Sequence, residues 1–288
     1  MKTNFLLGFA ATLMMAMPLM SSANPSGKIK ITPSKEIVTE KRTSAMNFTR
    51  IEVSRLVRLT IENRTNDVIE VRANENLLPY IELSVSDGKL TAAISDEVNI
   101  MITKFNNVVA EVAIPNNGRI ESVEVYGASR LKILPHMRVS TFEAEVYGAS
   151  VFEGNIVAEQ CKMEIYGASK SAFDFEGGQL SLEVYGASGV SGDVKAVKTK
   201  VELYGASKLK LNGQSESASI DVSGASGFDG LNFDTPVCSV EVSGASGVKV
   251  NCTESLSAKS SGASSLVYKG DCRISSMSTS SAGSIKKL

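Results

Sequence analysis

Seven carboxylates recur at near-constant spacing: Glu124, Glu145, Glu164, Glu183, Glu202, Asp221 and Glu241, each three residues before a glycine. Two positions after the first five stand Tyr126, Tyr147, Tyr166, Tyr185 and Tyr204, and the same column then changes to Ser223, Ser243 and Ser261. Acids beside aromatics are the residue types that hold a cation or a sugar chain. If the acids are stacked at strand spacing, neighbours repel by roughly 1 kcal/mol each in water. Lys162, Lys200, Lys170 and Lys208 lie in nearby outward columns, so a mutually neutralised, solvated face is the competing reading. The tyrosines divide in the same way, either stabilising neighbouring coils by stacking or forming a binding strip. A binding patch on this face falls on the tyrosine-bearing repeats.

The remaining reactive side chains are sparse. Cys252 and Cys272 each lie ten residues before the next corner of the repeat, so they stack at a separation that suits a disulfide. Cys161 and Cys238 share another column, six before the corner, with Phe142, Leu180 and Leu256, and read as buried thiols. No Cys or His spacing suggests zinc, and no metal or cofactor is expected. The single histidine, His136, sits in "LPHMR" and reads as a surface loop residue. The column Asn155, Asp174, Asp193, Asn212 and Asn251 reads as side chains bonding turn backbone. Repeated carboxylates serve stacking, whereas a lyase or hydrolase needs one distinct constellation of unlike groups, so no catalytic residue is assigned.

The elements that position these columns follow from the repeat itself. Anchored on glycine, the copies of "EVYGAS" and its variants place Gly127, Gly148, Gly167, Gly186, Gly205, Gly224, Gly244 and Gly262 in one column, with Ala282 there in a ninth, degenerate copy. Apolar residues alternate with the acids before each glycine, as in Leu182, Glu183 and Val184, and a large apolar residue stands two positions beyond the following Ser. This is strand alternation within a repeat of about 19–20 residues. The fold expected is all-β: a parallel β-helix, or solenoid, preferably right-handed, with stacked positions ~4.8 Å apart. Glycine turns the corner, and the Ala after it is expected to be small because the corner interior is narrow. Gly154, Gly192 and Gly230 recur in alternate copies, with Gly270 continuing the series, so the unit is a pair of coils.

Three segments are expected. Residues 1–23 read as a signal peptide, with a short apolar run between Lys2 and the small residues Ser21, Ser22 and Ala23. Residues 24–120 lack the motif but contain strand patterns at "FTRIEVSRLVRLTIE" (48–62) and "LTAAISD" (90–96), with turns at "SDG" (86–88) and "PNNG" (115–118). They are expected to form irregular first coils and a cap, because a β-helix end exposes backbone and core. Residues 121–288 form the regular helix, its far tip blunted by the Ser-rich "SSMSTSSAGSIKKL".

"VRANENLLPYIELSVSDGKL" (71–90), the preceding "FTRIEVS" and the string of glycine corners resemble the head GIN domain family, secreted bacterial proteins of the autotransporter-adhesin type. The resemblance spans about residues 45–285. It implies a pectin-lyase-like β-helix, no established catalytic residues and a part in cell adhesion.

With 30 Lys and Arg against 31 Asp and Glu, the chain has no net field to recruit nucleic acid. After the leader, no run of ~20 apolar residues could span a membrane as a helix. The function expected is that of an exported, non-catalytic protein, periplasmic, on the outer surface or extracellular. It acts in adhesion, or in binding a glycan or a protein at the cell envelope. A polysaccharide lyase or hydrolase is the second reading and a structural periplasmic role the third. A flat sheet face in register could also join copies into a homo-oligomer.

Overall fold

The computed structural model describes residues 27–43, 47–64, 66–101 and 107–288. The leader expected at 1–23 lies outside the described residues. From Arg130 onward the chain is laid down as coils that pair in parallel with the coil before: Arg130–Val146, Val151–Ile165, Lys170–Val184, Gly189–Leu203, Lys208–Val222, Gly227–Val242 and Gly247–Ser260. The register offset of 19 between Lys170 and Gly189 is the sequence period itself. The expected parallel β-solenoid is the fold observed.

The glycine corner is built as the repeat requires. All eight glycines have positive φ, from 68° to 83°. The close approach of coils closes the position further: a Cβ at Gly186 would lie 2.5 Å from the carbonyl oxygen of Gly167. The next N–H uses that same oxygen, Ala187 N donating to Gly167 O at 2.7 Å. The alanine is therefore on the outside, and Ala187 is exposed. The residue that enters the narrow interior is the following serine, Ser188, whose Oγ donates to Tyr185 O at 3.0 Å. Ser169 and Ser207 repeat the contact with Tyr166 and Tyr204. Expecting the alanine inside misplaced the side chains by one position. A hydroxyl is preferred inside because it can bond the carbonyl that the turn leaves pointing inward.

The two-coil unit is an interior packing device. Six residues after the corner, Ile133, Gly154, Phe173, Gly192, Leu211, Gly230 and Val250 alternate large with absent side chains along the axis. A Cβ at Gly192 would stand 2.8 Å from the Phe173 ring, and one at Gly230 2.6 Å from the Phe228 ring. Two large rings cannot occupy stacked positions in so thin a core. Gly270 does not continue this series, because it is a turn residue with φ 101° past Lys269.

The ninth corner also differs. Ser281, not Ala282, occupies the glycine column with φ 57°, since Ser284 pairs with Ser265. The last spacing is then 19 residues rather than 20. On either side of it the final strands, Arg273–Thr279 and Ser284–Lys287, form the tip, the former exposed throughout.

At the other end the coil order departs from the chain order. Residues 48–62 make a coil that lies between later segments: Arg50–Val53 pairs with both Lys89–Ile94 and Ser122–Val125, and Arg58–Glu62 with both Ala110–Pro115 and the start of the Arg130–Val146 strand. Its corner has no glycine. Arg55 and Leu56 take positive φ, and the Arg55 guanidinium fixes the bend on the carbonyls of Ile94 and Ser95. Antiparallel strands then cover this end, Val68–Asn74 between Ala110–Pro115 and Ile37–Thr43, and Ile81–Ser86 on Lys89–Ile94. The hairpin turn at Asp87 and Gly88 falls where "SDG" predicts it.

Substituting Gly186 by Ala is expected to destabilise by roughly 2–4 kcal/mol, through left-handed strain and the clash with Gly167 O. Urea unfolding of the variant tests this, and an unchanged midpoint would refute the account of the corner.

A tyrosine and carboxylate face

Before each corner the chain presents one outward column of acids and one of tyrosines. The acids pair in register as read from the sequence: Glu124 with Glu145, Glu145 with Glu164, and onward to Asp221 with Glu241. The stack is longer than the repeat suggests, since Glu52 pairs with Glu124 from the glycine-free coil. Lysines close both ends, Lys89 on Glu52 and Lys259 on Glu241 at 2.6 Å. Lys162 lies 2.7 Å from Glu164 and 3.9 Å from Glu183, and Lys200 lies 2.7 Å from Glu202. Lys170 and Lys208 take no part in this neutralisation. They follow the corner and project from the next face, so the turn that separates them from the acids defeats their nearness in sequence.

Four tyrosines form a continuous stack. Ring centroids are 5.2 Å apart for Tyr147 and Tyr166, 4.9 Å for Tyr166 and Tyr185, and 5.0 Å for Tyr185 and Tyr204, with interplanar angles of 13° or less. Tyr126 is not part of this stack and instead gives its hydroxyl to Glu52. Tyr147 donates to Glu145. Burial, and then the adjoining carboxylates, push the Tyr147, Tyr166 and Tyr185 hydroxyls above the ordinary tyrosine value, so they stay neutral donors.

Stacking has a geometric consequence. Rings in van der Waals contact cover one another's faces, leaving only edges and hydroxyls to solvent. At the Tyr204 end no ring follows, because the next residue in the column is Ser223. There the face opens into a depression of about 450 Å³, lined by Tyr204, Asp221, Ser223, Glu241, Ser243, Lys259 and Ser261 among others. Asp221 has no lysine partner, and its carboxyl is raised above the ordinary value by burial and then by Glu241 and Glu202.

The other candidates are dispersed. All four cysteines are free thiols in the structure. Cys161 and Cys238 are buried, as their column demands. Cys252 has Cys272 beside it, and it also has Cys238, which the sequence reading keeps apart. The shifted ninth corner and a break in pairing between Thr235 and Val237 bring the three together. His136 is exposed on the Arg130–Val146 strand, at a register shift rather than in a loop. The Asn and Asp column makes side-chain pairs instead of bonds to turn backbone: Asn212 Nδ2 donates to Asp193 at 2.9 Å, and Asn251 donates to Asp234, which a register shift places beside it. Among the described residues no group of three or more His, Cys, Asp or Glu is placed to hold a metal ion. Nor is any described helix long and apolar enough to cross a membrane.

Fold and face together define a solenoid protein with a repetitive, aromatic and acidic stripe. Residues 47–174 and 170–272 match the family described as "Putative auto-transporter adhesin, head GIN domain", and the chain belongs to this family. Solved structures share the fold. A "putative adhesin" from Parabacteroides distasonis superimposes with TM-score 0.66 at 17% identity, over 90% of this chain and 100% of that one. A "putative adhesin" from Parabacteroides merdae gives 0.63 at 18%, over 90% and 99%. A "Putative lipid binding protein" from Parabacteroides distasonis gives 0.60 at 18%, over 90% and 99%. No curated protein matches the chain.

Replacing Tyr147, Tyr166 and Tyr185 together by Ser is expected to destabilise by about 2–4 kcal/mol, from three lost ring contacts. An unchanged melting temperature would deny the stack a structural role. Asp221→Asn should act in the opposite direction. With a raised folded-state value, the folded protein binds the proton more tightly than the unfolded chain, so stability falls as pH rises through the window above the ordinary Asp value. The variant should therefore be more stable at pH 7, by about 0.5 kcal/mol, and the gain should vanish in melts below about pH 4.

Proposed function

We propose that this is an exported adhesin that recognises a glycan at the cell envelope without turning it over, through the depression at the end of the tyrosine stack. The observation that carries this reading is the uncovered ring face of Tyr204 beside Asp221, Ser223 and Ser243. A sugar ring places weakly positive C–H groups over the negative face of an aromatic ring, while its hydroxyls bond to flanking carboxylates and hydroxyls. Asp221 is held there beside Glu241 and Glu202 with its carboxyl raised by burial, and perturbed groups of this kind cluster at binding sites. The family description and the names of the structural relatives support adhesion as the general role. The repeated carboxylates provide stacking order but no unlike acid and base pair of the kind hydrolysis or elimination requires.

The purified protein is expected to bind members of an array of uncharged bacterial and host glycans, with no reducing ends or unsaturated products released in the same wells. Tyr204→Ser should abolish that binding and cost about 1 kcal/mol or less, because only one ring contact is lost. Turnover would replace the adhesion reading by an enzymatic one. Binding that survives Tyr204→Ser would move the site off this depression.

A further inference from the structure

Past the corner the solenoid presents a second outward face of different chemistry. A groove of about 800 Å³ runs along it across the coils from Arg130 to Ser265. Its cationic side chains are Arg130, Lys170, Lys208, Lys210 and Lys249, all exposed, and none makes an ion pair or a side-chain hydrogen bond among the described residues. Of the two acids of the groove, Glu153 pairs with Lys132 at 3.0 Å, and Asp229 accepts the N–H of Leu231 at 3.3 Å, so the bases outnumber the acids. The acidic ladder, by contrast, has four lysines among its eight acids. Five unpaired bases thus share one concave strip. Arg130, Lys170 and Lys208 follow each other at steps of two coils, and Lys210 and Lys249 are likewise two coils apart. Each step is ~10 Å.

The floor of the groove gives an independent indication. Gly189, Gly227 and Gly247 line it, in the same column as Lys170 and Lys208. None has positive φ, and a Cβ added at any of them would meet nothing within 4 Å. Every other described glycine either takes positive φ or would bring a Cβ against a neighbour. Glycine is unfavourable in a strand, and the backbone does not require it at these three sites. What it does there is keep the floor low between the lysines.

We infer that this groove is a binding site for a linear acidic polysaccharide, lying along the solenoid axis with its carboxylates or sulfates meeting the bases once every two coils. The charge of the strip selects an anion, and its length and shape select a chain rather than a single group or a flat headgroup surface. The floor strands are central in the sheet, paired on both sides, so a peptide could not extend the sheet. Exposed aromatics on which nucleobases could stack are absent from its lining. This site is separate from the Tyr204 depression and stands or falls without it.

The test measures binding of the purified exported protein to hyaluronan, with dextran, polyglutamate and phosphatidylglycerol vesicles in parallel. Hyaluronan should bind, with affinity falling as salt rises, and dextran should not. Lys170→Gln, Lys208→Gln and Lys210→Gln combined should weaken binding at least tenfold. Gly189→Val with Gly227→Val should do the same by filling the floor, with a melting temperature equal to or above that of the parent. Tyr204→Ser should leave hyaluronan binding unchanged, which separates this site from the other. Absence of salt-dependent binding, or retention by the glutamine or valine variants, overturns the proposal. Equal binding to polyglutamate or to the vesicles does so too, by showing that charge alone or a lipid surface is what the strip takes.

Discussion

One contact sets the terms for the rest of the structure: the approach of each corner to the corner below it. The alanine N–H of one coil reaches the glycine carbonyl of the previous coil at 2.7–2.8 Å, repeated from Ala168 to Ala263. That approach is tighter than a side chain at the glycine would allow, which is why the column is almost pure glycine. It also sets the register of the flanking strands, so residues on either side of the corner lie directly on their counterparts. Like must then stack on like, and every column has to tolerate identical neighbours or alternate with something smaller. The tyrosines tolerate identity because parallel rings attract. The acids tolerate it only with Lys162, Lys200 and terminal lysines among them. The interior column of Phe173 and Leu211 does not, and it alternates with glycine.

The legibility of the fold follows the same contact. Where the corner carries glycine, the sequence announces the coil, its period and both faces. Where another device makes the bend, the signal is weak. "IEVSRLVRL" (51–59) matches "VEVYGASRL" (123–131) position by position, and the structure stacks the two, Glu52 on Glu124. Arg55 replaces the glycine by anchoring its guanidinium on carbonyls of the neighbouring segment, a long-range contact that no local pattern reveals. The same holds for the insertion of this coil between later segments. At the far end, Ser281 was legible only through spacing, since "SSAGS" offers a glycine two positions late. For the candidate face, the columns were legible and their contents were not. That Tyr204 ends a stack whose inner rings cover one another depends on the distance between rings, and that Lys170 and Lys208 leave the acids depends on the direction of the turn.

The charge balance of the chain conceals a spatial separation. Summed over 288 residues the charge is −1, and no long-range field results. A solenoid, however, sorts residues by column, and the corner divides a stripe of carboxylates from a strip of unpaired bases. At physiological ionic strength a charge is screened beyond about 8 Å, so each strip acts on what touches it and neither cancels the other. Recognition by such a surface is necessarily short-range and distributive: each coil contributes a weak contact, and a ligand gains by matching the coil spacing over several of them. The stacking that makes the rod stable is therefore also what gives its faces a fixed repeat. Interruptions of the repeat, the change from Tyr204 to Ser223 on one face and the glycines among lysines on the other, are where that regular surface acquires a shape.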